Sequence, residues 1–302
     1  MAALARPMLP LLAWLAVPVG GREAPDPLGY GLATGTSHGC SLQKGTRTAV
    51  CWGWNNDGQV SGPNEDPVGN FKTLTAGARH TCGLHLEGSR VHCWGGNQNG
   101  QAKPPTGVMF DAVAAGYWNT CGLRQSDKNV MCWGSNTFGM STAPADVKFK
   151  AIASGASQMC GLRASDGSLE CWGKTDYGAA PSGKFMSVSV GEYHACALSE
   201  SDHTASCWGL NHYGQTESKP GRYSAVVAGG DHSCALRESD GKAECWGLNG
   251  DGQCSPPGDT FLAIVAGVYH TCAAREGDHA TLCWGRTNDG QVDVPAGHKA
   301  EL

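Results

Sequence analysis

Long apolar runs, positive charge and glycosylation signals are all scarce in this 302-residue chain. Beyond the first 20 residues, no stretch approaches the ~20 apolar residues that a membrane-spanning helix requires, so no span is expected. Charged residues make up 16% of the chain and sum to −5, which argues against the basic surface of a nucleic-acid binder. No Asn-x-Ser/Thr sequon occurs, so surface glycosylation has no support. The cysteines include no Cys-x-x-Cys knuckle of the kind that holds zinc. What the chain does have is 44 glycines and 15 cysteines, a composition suited to many tight turns.

Fourteen of the cysteines fall into pairs eleven positions apart: Cys40 with Cys51, Cys82 with Cys93, Cys121 with Cys132, Cys160 with Cys171, Cys196 with Cys207, Cys234 with Cys245 and Cys272 with Cys283. The first cysteines of successive pairs are 36 to 42 residues apart, so the spacing within a pair is held constant while its surroundings vary. That constancy implies a local constraint. In His80-Thr-Cys-Gly-Leu-His-Leu-Glu-Gly-Ser-Arg-Val-His-Cys-Trp-Gly95, two alternating runs fold about Glu87-Gly88 and place Cys82 opposite Cys93. Cross-strand neighbours lie about 4.5–5.5 Å apart at Cα, within reach of a disulfide. The other midpoints, such as Ser126-Asp127, Ser201-Asp202 and Gly277-Asp278, are turn formers. Seven disulfides in turn point to the secretory pathway or the extracellular space. Cys254 is left over and is expected to be unpaired.

Residues 1–20 read as a signal peptide, with Arg6 ahead of Met8-Leu-Pro-Leu-Leu-Ala-Trp-Leu-Ala-Val and small residues after it. Residues 21–28 read as a linker, 29–296 as the repeat domain and 297–302 as a tail. The last four residues, Lys299-Ala-Glu-Leu302, resemble an endoplasmic reticulum retrieval signal with Ala300 in place of an acidic residue.

Each repeat opens with a strand such as Phe71-Lys-Thr-Leu-Thr-Ala, ended by a glycine (Gly35, Gly77, Gly116, Gly155, Gly191, Gly229, Gly267). Two variable residues follow, then the hairpin ending in Cys-Trp-Gly, then a turn such as Asn55-Asn-Asp-Gly-Gln59 and a proline-containing return. Repeats three and four carry Met140 and Ala179 where the others have Gln. Three clear strands, with room for a short fourth, at a period near 40 predict an all-β seven-bladed β-propeller with one disulfide-stapled hairpin per blade. The Cys-Trp-Gly tryptophans are then packing residues between blades.

The pattern Gly-x-x-His-x-Cys-x-Leu … Cys-Trp-Gly-x-Asn-x-x-Gly-Gln resembles the short form of the regulator of chromosome condensation repeat. It is similar to repeats of β-lactamase inhibitor protein II and to the cysteine-bearing repeats of plant crinkly-type receptor ectodomains. The resemblance implies a seven-bladed propeller. It leaves activity open, because the family includes a nuclear exchange factor, a photoreceptor, an inhibitor and receptor ectodomains. WD repeats have a similar period, but no Trp-Asp dipeptide occurs here.

Several motifs imitate chemistry. Gly35-Thr-Ser-His-Gly39 fits a nucleophile elbow, yet in register it aligns with Gly77-Ala-Arg-His-Thr81 and lacks the strand-turn-helix setting. His38, His80, His194, His232 and His270 share one slot, with Asn119 and Gln158 in the other two repeats. Symmetry spreads these side chains around a ring, and Asn or Gln replaces imidazole as a hydrogen-bond partner but not as a metal ligand or base. A structural role, bonding backbone, is expected. The Asn/Asp-Gly turns have too few carboxylates for calcium. No metal, cofactor or catalytic residue is therefore expected.

The residues that break the repeat are the two after each strand-ending glycine. Placed on one rim, Arg79, Tyr117, Trp118, Glu192, Tyr193, Asp231 and Tyr269 combine aromatic and charged groups in the manner of binding hot spots. The expected function is a secreted, monomeric, non-enzymatic recognition module that binds a protein, or a glycan, through this rim. The alternatives are an extracellular hydrolase or lyase with a central-funnel site, and, by family analogy, a guanine-nucleotide exchange factor.

Overall fold

The structure, a computed structural model, describes residues 31–62 and 69–302. The signal peptide, the linker and the start of the first repeat lie outside the described residues. Within them the chain forms seven three-stranded antiparallel sheets, each built from consecutive strands. The first contains β1 (Leu32–Thr34), β2 (His38–Leu42) and β3 (Ala49–Gly53), and the second β4 (Phe71–Ala76), β5 (His80–His85) and β6 (Val91–Gly95). The remaining five repeat this plan. The first strands of all seven sheets surround a central channel, so the sheets are propeller blades. Among the described residues no fourth strand forms, because the segments after Cys-Trp-Gly are runs of turn residues and prolines that offer few donors to a ladder.

All seven expected disulfides are present, each between residues directly opposite in register. Cys40 is bonded to Cys51, Cys82 to Cys93, Cys121 to Cys132 and Cys160 to Cys171. Further round the ring, Cys196 is bonded to Cys207, Cys234 to Cys245 and Cys272 to Cys283. The Cα atoms of each pair are 4.0–4.1 Å apart, closer than the unbridged cross-strand spacing expected from the sequence. Cys254 is free. The turn aspartates act as expected: Asp127, Asp166, Asp202, Asp240 and Asp278 each accept a hydrogen bond from the backbone N–H two residues on.

The core lies between blades. Leu42 of one blade packs with Phe71, Leu74 and Trp94 of the next, and Leu162, Phe185, Val188 and Trp208 repeat the arrangement further round. A polar joint accompanies it. The Gln59 side chain accepts from the Asp57 N–H and so closes its own turn, while its carbonyl accepts from the Trp94 indole at 2.9 Å and the Thr81 hydroxyl at 3.0 Å. The Gly95 backbone presses against this joint at φ 94°, where an added Cβ would stand 2.7 Å from the Arg79 carbonyl and 3.0 Å from Gln59. Only glycine suits that position.

The C-terminal residues close the ring by completing the first blade's inner edge, where Ala300 pairs with Gln43 as Phe71 pairs with His85. Trp52 donates to the Gln291 carbonyl at 2.9 Å, as at the other joints. The His298 ring bridges Gln43 (2.8 Å) and Ser41 (2.9 Å), the Glu301 N–H donates to Leu42, and the Ala300 N–H donates to His279. Residues 298–301 thus lie across the first and last blades, with Ala300 fully buried.

Candidate binding rim

At one end of the ring, each inner strand stops at its glycine and two residues turn the chain into the middle strand. The carbonyl of the second residue accepts the N–H that follows Cys-Trp-Gly: Ser37 from Trp54, Arg79 from Gly96, Trp118 from Ser135, Tyr193 from Leu210, Asp231 from Leu248 and Tyr269 from Arg286. This bond fixes the two loops side by side on every blade. The first residue of the pair faces the channel mouth, which Thr36, Ala78, Tyr117, Ala156, Glu192 and Val268 line above the ring of seven glycines. The second residue is exposed at Arg79 and Trp118, half-buried at Tyr193, Asp231 and Tyr269, and buried at Ser37 and Ser157.

The seven rim residues named from the sequence fall into two groups. In one, the Arg79 guanidinium lies 4.9 Å from the Trp54 ring centre and 5.7 Å from that of Trp118, with Asp57 at 3.5 Å. Trp118 is 36% exposed. In the other, the Tyr117 hydroxyl reaches over Ala156 to the Glu192 carboxylate at 3.4 Å, and Tyr193 also bonds Glu192. Asp231 stands near enough to oppose the charge on Glu192, and Tyr269 near enough to act on Tyr117. Burial, with Glu192 alongside, pushes the Tyr117 hydroxyl up to about 12. The hydrogen bond to Glu192, then burial, raises Tyr193. Burial raises Glu192 and Asp231 above the usual carboxylate range.

Residues outside that sequence-derived set join the rim. Trp54, Lys174 and Arg286 immediately follow Cys-Trp-Gly, and Phe138 and Tyr177 sit in the turns beyond. The Lys174 ammonium is 4.6 Å from the Tyr177 ring and 5.5 Å from that of Phe138, and Arg286 lies 5.0 Å from Tyr269. Their signal was available in the sequence, since the position after an invariant Cys-Trp-Gly is itself variable.

The histidine ring is structural, with a partner different from the one expected. His38, His80, His194 and His232 bond the hydroxyls of Thr81, Thr120, Ser233 and Thr271 in the next blade at 2.8–3.0 Å. Those hydroxyls donate onward to the Gln carbonyls, so each Nε2–H is the donor to them. Burial depresses these imidazoles to about 3–4. Ser37 is buried, and the adjacent His38 ring engages Thr81, so the elbow-like motif is part of a blade joint. Among the described residues, no group of three or more His, Cys, Asp or Glu side chains could hold a metal.

Fold and rim together define a disulfide-stapled seven-bladed propeller with a variable aromatic and charged face. Four segments, residues 71–101, 110–139, 187–215 and 223–253, match the regulator of chromosome condensation (RCC1) repeat, and the propeller is similar to those of plant crinkly-type ectodomains. The CRINKLY WD40 ectodomain of the Arabidopsis thaliana receptor kinase ACR4 is 28% identical, with a TM-score of 0.74 over 85% of this chain and 95% of that one. The entire ectodomain of the Physcomitrella patens receptor kinase CR4 is 27% identical, with a TM-score of 0.74 over 84% of this chain and 73% of that one. Prp20p of Saccharomyces cerevisiae, described by its binding to Gsp1p and histones, shares the fold at 17% identity, with a TM-score of 0.69 over 90% of this chain and 86% of that one. No curated protein matches the sequence significantly. The seven disulfides and the ectodomain neighbours point to an extracellular or secretory location. Among the described residues, no helix is long and apolar enough to cross a membrane.

Proposed function

We propose that the protein is a secreted, non-enzymatic recognition module that captures a protein partner on the rim built from Arg79, Tyr117, Trp118, Glu192, Tyr193, Asp231 and Tyr269. The observation that carries this reading is the exposed Trp118 beside an Arg79 already stacked between two indoles. Large aromatics and arginine held rigid on a surface lose little conformational freedom on binding, which is what makes hot spots. The ectodomain neighbours support a binding role at the level of the module. Against a funnel enzyme, the channel wall is mainly Ala, Val, Ser, Thr and Gly, and its charged residues among those described are Lys150 and Glu192. The first is on the inner strand and the second at the opposite mouth, so they do not form an acid–base pair.

Capture from native extracellular fluid tests the reading. Replacing Tyr117 and Trp118 together by Ala is expected to lower partner recovery at least about tenfold while all seven bridges and the melting temperature persist. Undiminished capture by the folded double variant would place binding on another face.

A further inference from the structure

Three places on the rim carry a cation seated on an aromatic ring supplied by the chain itself: Arg79 on Trp54 and Trp118, Lys174 on Phe138 and Tyr177, and Arg286 on Tyr269. One sector has the aromatic and acidic halves of such a site without the cation. Tyr117 and Tyr193 both bond Glu192, Asp231 stands beside it, and among the described residues neither carboxylate has an ion-pair partner. We propose that Glu192, walled by Tyr117 and Tyr193, is the seat of a lysine ammonium group presented by the protein partner.

Position comes first. Glu192 occupies the mouth-facing slot that other blades fill with Thr36, Ala78, Ala156 or Val268, so among the described residues its carboxylate is the one acid lining the channel mouth. Tyr117 reaches it across the short Ala156, and the Thr36 hydroxyl faces Tyr117 from the far side. The mouth that these side chains line has a volume of about 70 Å³. That room admits an ammonium and its last methylene, whereas a planar guanidinium needs an open two-pronged acceptor that Glu192, already accepting from two tyrosines, does not offer.

Charge argues the same way. Glu192 and Asp231 are partly withdrawn from water and repel one another, and burial raises both above the normal carboxylate range. The Gln215 amide, at 3.2 Å from Asp231, and the nearby His212 relieve Asp231 alone. A docked ammonium would supply the missing positive charge to Glu192. Its donors would find Glu192 and the Thr36 hydroxyl, which has no hydrogen-bond partner, and its surface would face tyrosine rings. A divalent metal ion would need six or more oxygen ligands, and no group of three metal-ligating side chains occurs among the described residues.

The inference rests on the rim reading above, but its test does not need the partner. Protein carrying ¹³C-labelled tyrosine is titrated with N-acetyl-lysine methylamide, and ring resonances are followed by NMR. Saturable shifts of Tyr117 and Tyr193, with the exposed Tyr213 unmoved, are the expected result. The uncharged N-acetyl-norleucine methylamide should leave all of them in place. Glu192→Gln, which keeps the shape and the tyrosine contacts, should weaken the lysine probe about tenfold or more. Equal shifts from the norleucine compound or from calcium chloride, or a Glu192→Gln protein that binds unchanged, would overturn the ammonium seat. Such a failure leaves the rim reading intact, because that stands or falls on capture through Tyr117 and Trp118.

Discussion

Gln59 shows how much one residue of the repeat is asked to do, and where the demand lapses. Its amide oxygen holds its own turn, and its carbonyl receives an indole and a hydroxyl from the following blade. In the fourth repeat Ala179 takes this slot, and the matching indole nitrogen, Trp208 Nε1, is buried without a hydrogen-bond partner. The two tryptophans therefore differ in one bond while sharing a packing role. Trp94→Phe is expected to cost about 1 kcal/mol more than Trp208→Phe, the net worth of one buried hydrogen bond. Urea unfolding of the two variants measures that difference directly. Equal losses would mean that the indole–carbonyl bond adds nothing to the joint beyond packing.

At the level of the blade, much was legible because it repeats. The constant cysteine spacing specified the hairpin, and the glycine and Cys-Trp-Gly punctuation specified where strands end. The contacts between blades were hidden, because residues such as His80 and Thr120 lie 40 positions apart and nothing local links them. A trace was nonetheless present. Hydroxyl residues Thr81, Thr120, Ser233 and Thr271 follow blades that carry His, whereas Met159 and Ala195 follow the blades that carry Asn119 and Gln158. His270 faces Gly39 across the closing joint, and its Nε2 has no hydrogen-bond partner. That joint has other support, from His298 with its bonds to Gln43 and Ser41. Its role was not legible, since Ala300 stands where the other repeats open on Phe or Tyr, and that aromatic is the sequence mark of the position. His298→Ala is expected to lower stability by about 1–3 kcal/mol. Amide exchange should quicken first in residues 38–53 and 270–285, the two blades it spans; uniform quickening around the ring would deny it a closing role.

Across the whole molecule, the five imidazoles of the shared slot, buried more deeply than His298, make the ring sensitive to acid. Burial holds His38, His232 and His270 at about 3 and His80 and His194 at about 4, against 6.5 in an unfolded chain. Between pH 6.5 and 4 the unfolded chain therefore binds protons that the native ring refuses, so stability rises with pH through this window and is lost as pH falls. At pH 5 each histidine removes about 2 kcal/mol, and five together on the order of 10 kcal/mol, comparable with the whole stability of a domain. The raised carboxyls of Glu192 and Asp231 act in the opposite sense, favouring the folded state as they protonate, but they are two partly exposed groups against five buried ones. The melting temperature should fall steeply from pH 6.5 to 4.5, with proton uptake on unfolding approaching five. His80→Gln, which keeps a polar side chain of the kind that Gln158 already places in this slot, should remove about one proton and one fifth of the slope. Thermal unfolding followed across pH, with uptake measured in weakly buffered solution, provides both numbers. A stability curve flat from pH 7 to 4.5 would mean that the imidazoles are solvated and that the blades do not close upon them.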